Sequence, residues 1–440
     1  MQLTKPLFPY IIFLLLLGLV TFFLDSSFLA FRNFFPIYNL EDVTTVYLIN
    51  SIGCVIAVIG ILYILFTSTK EMKGSRSTSV LKYVFYTSQS VILVFIIITL
   101  LQLQSNGTYS FVNLIILFSL SYGLGLYCIA LLALKFFAWF RFGREVTVLS
   151  YVLTMCIFIV LLITSIIYAA SEFSTRIYPA VSTNYIGGQV TMTSPSPSVY
   201  DTYFYYAYLL TFISIYLITL LSLRDYLKKI RRPIFYLVFS IPLIYFLLKL
   251  LPFFAMFISS LILYSPTYYG TLYVLLFSGT GPLGGILFSL VLLALSRRMD
   301  NVSVRNYLSI SALGILLFFT INQNPPLRES LLPPFGVISK SFVGLSCYMI
   351  FVGIYSSVTL LSRRNTLTNV ILKELSKDRL FSSAVRSEFE LQVRDIINKN
   401  IDHIEPFPES EPKELSKDEI VDLVRIVKKE LSGPKDHGNN

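Results

Sequence analysis

Residues 146–169 read VTVLSYVLTMCIFIVLLITSIIYA, a run without one charged side chain. A helix crossing the hydrocarbon core of a bilayer needs about 20 predominantly apolar residues. The run meets that length, and its polar members are confined to Ser, Thr and Tyr. Comparable stretches recur along the chain, at approximately 7–24, 45–67, 83–103, 111–134, 203–223, 234–258, 269–296, 307–322 and 337–361. The fold class that follows is an all-α membrane protein, a bundle of about ten transmembrane helices with a short helical cytoplasmic tail.

Composition agrees. Hydrophobic residues make up 55% of the 440 positions and charged ones 14%, with a mean hydropathy of +0.70. An ordinary soluble domain carries about a quarter charged residues, and a soluble fold of this length has nowhere to hide so much apolar surface. Lys5 ahead of an apolar stretch resembles the start of a signal peptide. The stretch is long, however, and no small-residue cleavage site follows it, so 7–24 is taken as the first span.

Orientation follows from the Lys and Arg content of the short loops, which the cytoplasmic side retains. The even-numbered loops hold Lys70, Lys73, Arg76, Lys82, Lys135, Arg141, Arg144, Arg224, Lys228, Lys229, Arg231, Arg232, Arg297, Arg298 and Arg305, fifteen in all. The odd-numbered loops hold three, Arg32, Arg176 and Arg328. Both termini are therefore expected in the cytoplasm, with the chain in the cell membrane. Pro242, Lys249 and Pro252 interrupt the seventh apolar stretch, which is read as one kinked pass.

The net charge of +10 sits in the membrane part. Before Ser362 there are 21 Lys and Arg against 10 Asp and Glu, and the tail has 14 against 15. Such a distribution decorates the cytoplasmic face, where anionic lipids attract it, and gives no case for nucleic-acid binding. The cluster RDYLKKIRR at 224–232 reads as topology signalling, with a phosphoinositide-like head group as the sharper alternative. Tyr203, Tyr205, Tyr206, Tyr208, Tyr264, Tyr268, Tyr269 and Trp139 fall near span ends, as an interfacial aromatic belt does. The outer loop at 171–202 contains TMTSPSPS and is expected to lack regular structure.

Beyond the last span the pattern turns amphipathic. Residues 1–361 form the transmembrane domain, 362–404 a cytoplasmic amphipathic helix, 405–415 a Pro-rich acidic linker, and 416–440 a short helix and disordered end. The first tail helix carries Phe381, Val385, Phe389, Val393 and Ile397 four apart. Ser416 and Glu419 make a capping-box signature for the second, whose apolar stripe is Ile420, Leu423, Val424, Val427 and Leu431. KELSKD stands before each, at 373–378 and 413–418. A stripe of this kind must be covered, by a protein partner, by self-association, by the other tail helix or by the membrane surface.

Catalytic chemistry finds little support. Two imidazoles one helical turn apart would be needed for zinc proteolysis, but His403 and His437 both lie in the tail. No span interior carries Asp or Glu, which removes the paired carboxylates of an aspartyl mechanism and the relays of a proton pump. Cys54, Cys128, Cys156 and Cys347 read as small apolar residues inside spans rather than metal ligands. The chain is accordingly expected to be no enzyme and to bind no metal or cofactor. Two lysines do enter spans, Lys249 and Lys340. They either converge on an anionic ligand in an outward-facing cavity or snorkel to the interface. In the eighth span SGTGPLGG places Gly279, Gly281, Pro282, Gly284 and Gly285 where a helix breaks to expose backbone groups or packs closely against a neighbour. YGLG at 122–125 is a weaker instance.

Several stretches carry a resemblance. RRM at 297–299, VRNYLSISALGILLFFTINQN and PPFGVISKSFVGLSCYMIFVGIYSS resemble an uncharacterised family of multi-spanning membrane proteins of ammonia-oxidising archaea. It covers roughly residues 270–400 and the rest in hydropathy alone. What it implies is a many-spanned bundle continuing into a short charged helix, with no activity and no catalytic residue. The arrangement is also similar to the membrane half of a sensor kinase. Two functions are expected from these readings: a membrane sensor or interaction scaffold with a cytoplasmic output tail, or a transporter or channel for a small or anionic solute.

The charge bias yields an expected labelling pattern. In intact cells, a cysteine replacing Ile230 should be protected from an impermeant thiol reagent and one replacing Val190 should react. The reverse pattern would invert the topology.

Overall fold

In a computed structural model, the structure describes residues 16–25, 40–69, 76–106, 110–144, 146–175, 199–223, 240–241, 243–245, 247, 280–297, 299, 301–322 and 336–365. The helices are α1 (Leu16–Asp25), α2 (Leu40–Thr69), α3 (Arg76–Asn106), α4 (Phe111–Gly143), α5 (Val146–Thr175), α6 (Val199–Leu223), α7 (Thr280–Ser296), α8 (Val302–Ile321), α9 (Val337–Lys340) and α10 (Val343–Asn365). Seven spans among the described residues are long and apolar enough to cross a membrane, the last running through α9 and α10. α1 and α7 are shorter apolar helices. Most of the expected seventh span, the first part of the eighth and the whole tail past Asn365 lie outside the described residues.

The exposed faces show what solvent these helices meet. Along α2, Ile49, Ile52, Ile56, Ile59, Tyr63 and Phe66 are exposed at alternating spacings of three and four, while Tyr47, Ser51, Cys54, Val58, Ile61 and Leu65 are buried. Water would penalise such a continuous apolar stripe, and hydrocarbon accepts it. α3 repeats the pattern with Val80, Val84, Val94, Ile97 and Leu101 outward and Leu81, Phe85, Ile92, Ile96 and Leu103 inward. The chain is a multi-pass helical membrane protein.

Burial does not follow hydropathy within the bundle. An 18-residue stretch of the span Val337–Leu361 is 100% buried, whereas the corresponding stretches of α2 and α3 are 33% and 28% buried although they are more hydropathic. Lipid tails are as apolar as leucine, so the membrane offers no hydrophobic reward for hiding an apolar helix. Close packing and polar contacts decide instead, and α10 carries the small residues that permit them. A Cβ on Gly353 of α10 would stand 2.6 Å from the Ser311 nitrogen and the Tyr307 oxygen of α8. One on Gly314 of α8 would stand 2.9 Å from the Ile350 nitrogen and Ser346 oxygen of α10. Gly125 of α4 faces Cys347 and Gly344 in the same way, and Gly285 of α7 faces Leu316 and Phe319 of α8.

Aromatic rings close the gaps between the other helices. Phe85 of α3 stacks on Tyr348 of α10 with centroids 3.6 Å apart. Phe158 of α5 meets Phe318 of α8 at 4.7 Å. Phe288 of α7 lies 5.3 Å from Phe212 of α6 and 5.2 Å from Phe319 of α8.

Two expectations are corrected. Trp139 is no belt residue: it is fully buried, edge-on to Phe136 at 5.1 Å. Among the cysteines Cys54, Cys128 and Cys347 are buried as expected, but Cys156 is exposed on α5. The tyrosines at the start of α6 divide by face, Tyr203 and Tyr206 exposed and Tyr208 buried.

Gly353→Ala should destabilise the detergent-solubilised protein by about 1–3 kcal/mol, the range for overpacking a filled core, and lower its melting temperature. Gly123 meets no heavy atom within 4 Å, so Gly123→Ala serves as the control and should leave melting unchanged or slightly higher. Equal melting of the two variants would count against a glycine-packed seam.

Candidate functional site

The last span is not one continuous helix. Gly336 precedes α9 with φ of +81°, a left-handed conformation that glycine adopts without a Cβ penalty. α9 lasts one turn, and Ser341 and Phe342 form a turn before α10 resumes. At this joint the Phe342 amide donates to the Ser339 carbonyl at 3.0 Å, a tightened three-residue closure.

Ser121 of α4 completes the joint. Its hydroxyl donates to the Lys340 carbonyl at 2.9 Å and accepts from the Gly344 amide at 3.1 Å. Those are the two groups that an unbroken helix would join to each other, so the side chain stands in the backbone ladder. Insertion of this kind is a recognised cause of a helix kink. Gly344 makes room for it, because a Cβ there would lie 2.7 Å from the Ser121 carbonyl oxygen.

At the start of α9, Gly336 occupies the N-cap position and has no side chain to offer the orphan amides of the first turn. Asp25, the last residue of α1, supplies what is missing. The Ser339 amide donates to Asp25 Oδ2 at 2.7 Å, the bond that a capping Ser or Asp within the same helix ordinarily accepts. Asp25 is fully buried and Lys340 is 3% exposed. Among the described residues Asp25 Oδ1 has no hydrogen-bond partner.

α1 is held in turn by α2. The Asn50 side chain donates to the Thr21 carbonyl at 3.2 Å, and a Cβ on Gly53 would lie 2.8 Å from the Thr21 methyl carbon. On the other side of Ser121, the Tyr122 hydroxyl donates to Asn322 Oδ1 at 2.9 Å at the end of α8. Tyr122 and Asn322 are both fully buried. Helices α1, α4, α8 and α9 therefore meet in one polar region in an otherwise apolar bundle.

Of the residues singled out from sequence, Lys340 belongs to this region. Its side chain is buried inside the bundle rather than exposed. Lys249 lies outside the described residues, as do Gly279 and the tail stripe Ile420, Leu423, Val424, Val427 and Leu431. Helix α7 runs without interruption through Gly281, Pro282, Gly284 and Gly285. Gly284 faces the Phe212 ring and Gly285 the α8 backbone, so these glycines serve packing. Asp25 and Ser121 were not anticipated. Asp25 ends the first apolar stretch and Lys340 opens the last, so opposite charges at the same end of two spans were the available signal.

No protein-family model, curated protein or solved structure matches this chain.

Asp25→Ala removes the cap and leaves the Ser339 amide without its acceptor. A buried donor left unsatisfied costs about 1–3 kcal/mol, so melting should fall by several degrees. Asp25→Asn keeps an acceptor oxygen for Ser339 and should fall between wild type and Asp25→Ala. Identical melting of all three proteins would rule out the cap.

Proposed function

We propose that the chain is a cell-membrane sensor or interaction scaffold whose last helix carries an output to the cytoplasmic tail. One observation supports this above the others: α10, which precedes the tail in the chain, is buried throughout 343–358, and its span is the most fully buried of the described ones. Its far end is held by the Asp25 cap and the Ser121 insertion together with apolar contacts such as Phe22 on Phe342. Hydrogen bonds and charges of this kind are discrete, either made or broken, and a helix of 23 residues is stiff enough to pass that state along its length. A two-state element biased from one end is the physical content of a switch. The loop charge bias supports cytoplasmic termini, and the stripe Ile420, Leu423, Val424, Val427 and Leu431 is suited to a protein partner or a second copy. Resemblance of residues 270–400 to the archaeal membrane family supports a bundle continuing into a charged helix and brings no activity with it. On this reading the chain performs no catalysis.

A transporter or channel for a small or anionic solute is the second reading. Its support is specific: an interrupted span with a buried carboxylate and ammonium beside it, a combination found where membrane proteins bind solutes.

Hydrogen exchange on the full chain in lipid nanodiscs separates the two. For a sensor, Asp25→Asn should alter exchange at 416–431, on the far side of the membrane domain, at least severalfold. Substituting Leu423 and Val427 by Asp should raise exchange there and leave the membrane domain unchanged. Tail exchange unaffected by Asp25→Asn would remove the sensor reading and leave the transporter.

A further inference from the structure

Helices α4, α5, α6, α7, α8 and α10 line a cavity of about 70 Å³. Its walls include Met155, Phe158, Thr219, Phe288, Leu292 and Ile354. They are almost entirely hydrocarbon, with the hydroxyl-bearing residues Tyr151, Thr154 and Thr219 on one part of the lining. Water holds a site only where two or more polar partners converge, and this lining suits a hydrocarbon chain better. Several of the lining residues, among them Thr154, Phe158, Thr219 and Phe288, are buried from the outer face of the bundle. The cavity is therefore distinct from the exposed stripes that meet bulk lipid.

Its position along the helices identifies the head group. Tyr151 falls in the first two turns of α5, Thr219 in the last two of α6 and Leu295 in the last of α7. In sequence those ends adjoin the loops that hold eleven of the eighteen loop Lys and Arg residues, including the cluster at 224–232. Arg144, just before α5, and Arg297, just after α7, are exposed there.

We infer that this cavity receives one acyl chain of an anionic phospholipid whose head group lies among those cations. Hydrophobic transfer contributes nothing to such binding, because the chain leaves one apolar medium for another. Dispersion contacts restored to an unfilled wall hold the chain, and the loop cations select its head group. The site is remote from the Asp25–Ser339 cap, so it stands independently of the proposed sensor.

Photolabelling tests it on the full chain in phosphatidylcholine vesicles doped with phosphatidylglycerol carrying a diazirine at mid-chain. Adducts are expected on one or more of Met155, Thr219 and Leu292, at several times the yield from phosphatidylcholine with the same diazirine chain. A free diazirine fatty acid at equal dose should label these residues severalfold less than the phosphatidylglycerol. Absence of adducts from all three, with labelling confined to outward residues such as Ile163, Leu217 and Leu290, would overturn the site. Equal cavity labelling by the phosphatidylcholine or the fatty acid would overturn it as an anionic phospholipid site.

Discussion

Inside a bilayer no water is at hand for a backbone amide, and a helix end there must be satisfied by the protein itself. The end of α9 at Gly336 meets that constraint with a carboxylate from the other extreme of the chain, Asp25 on α1. Much else follows from this bond. Lys340, next to Ser339 in the chain, is buried as Asp25 is. Interruption of the span after Lys340 frees a carbonyl and an amide, and Ser121 takes both. Ser121 reaches them only because α4 packs against α10 at Gly344. Polar satisfaction at one joint thus fixes how α1, α4 and α10 sit together.

The rest of the bundle is organised by size rather than by hydropathy. The span through α9 and α10 is less hydropathic than α5 and is the most fully buried of the described spans. In water that order would be surprising. In lipid it is what the energetics require, since burial there is driven by packing and by polar groups seeking partners. Gly314, Gly344 and Gly353 bring backbones close, while isoleucines and valines are left to face hydrocarbon.

The membrane class was plain from runs such as 146–169, because an uncharged stretch of bilayer length has few other uses. The polar joint was legible in part. Lys340 stood out as an ionisable residue inside a span, but its partner was overlooked, because a carboxylate one position beyond an apolar run reads as solvent-facing. Ser121 gave no signal at all: it is one hydroxyl among many in apolar helices, and only the neighbouring helix reveals which ladder it enters. Trp139 shows the opposite failure. Its place near a basic loop matched an interfacial residue, and it is fully buried in the bundle instead.

The distance along the chain between Asp25 and Ser339, 314 residues, has a consequence for biosynthesis. At a translation rate of about 5–20 residues per second, roughly 15–60 s separate the emergence of the two partners from the ribosome. Throughout that interval the first helix waits in or near the bilayer with an unfulfilled carboxylate. The last span is the only described element that relieves it. Closure of the cap therefore waits for the last described span, and a chain truncated before α9 keeps an uncapped carboxylate by which a membrane quality-control protease can distinguish it.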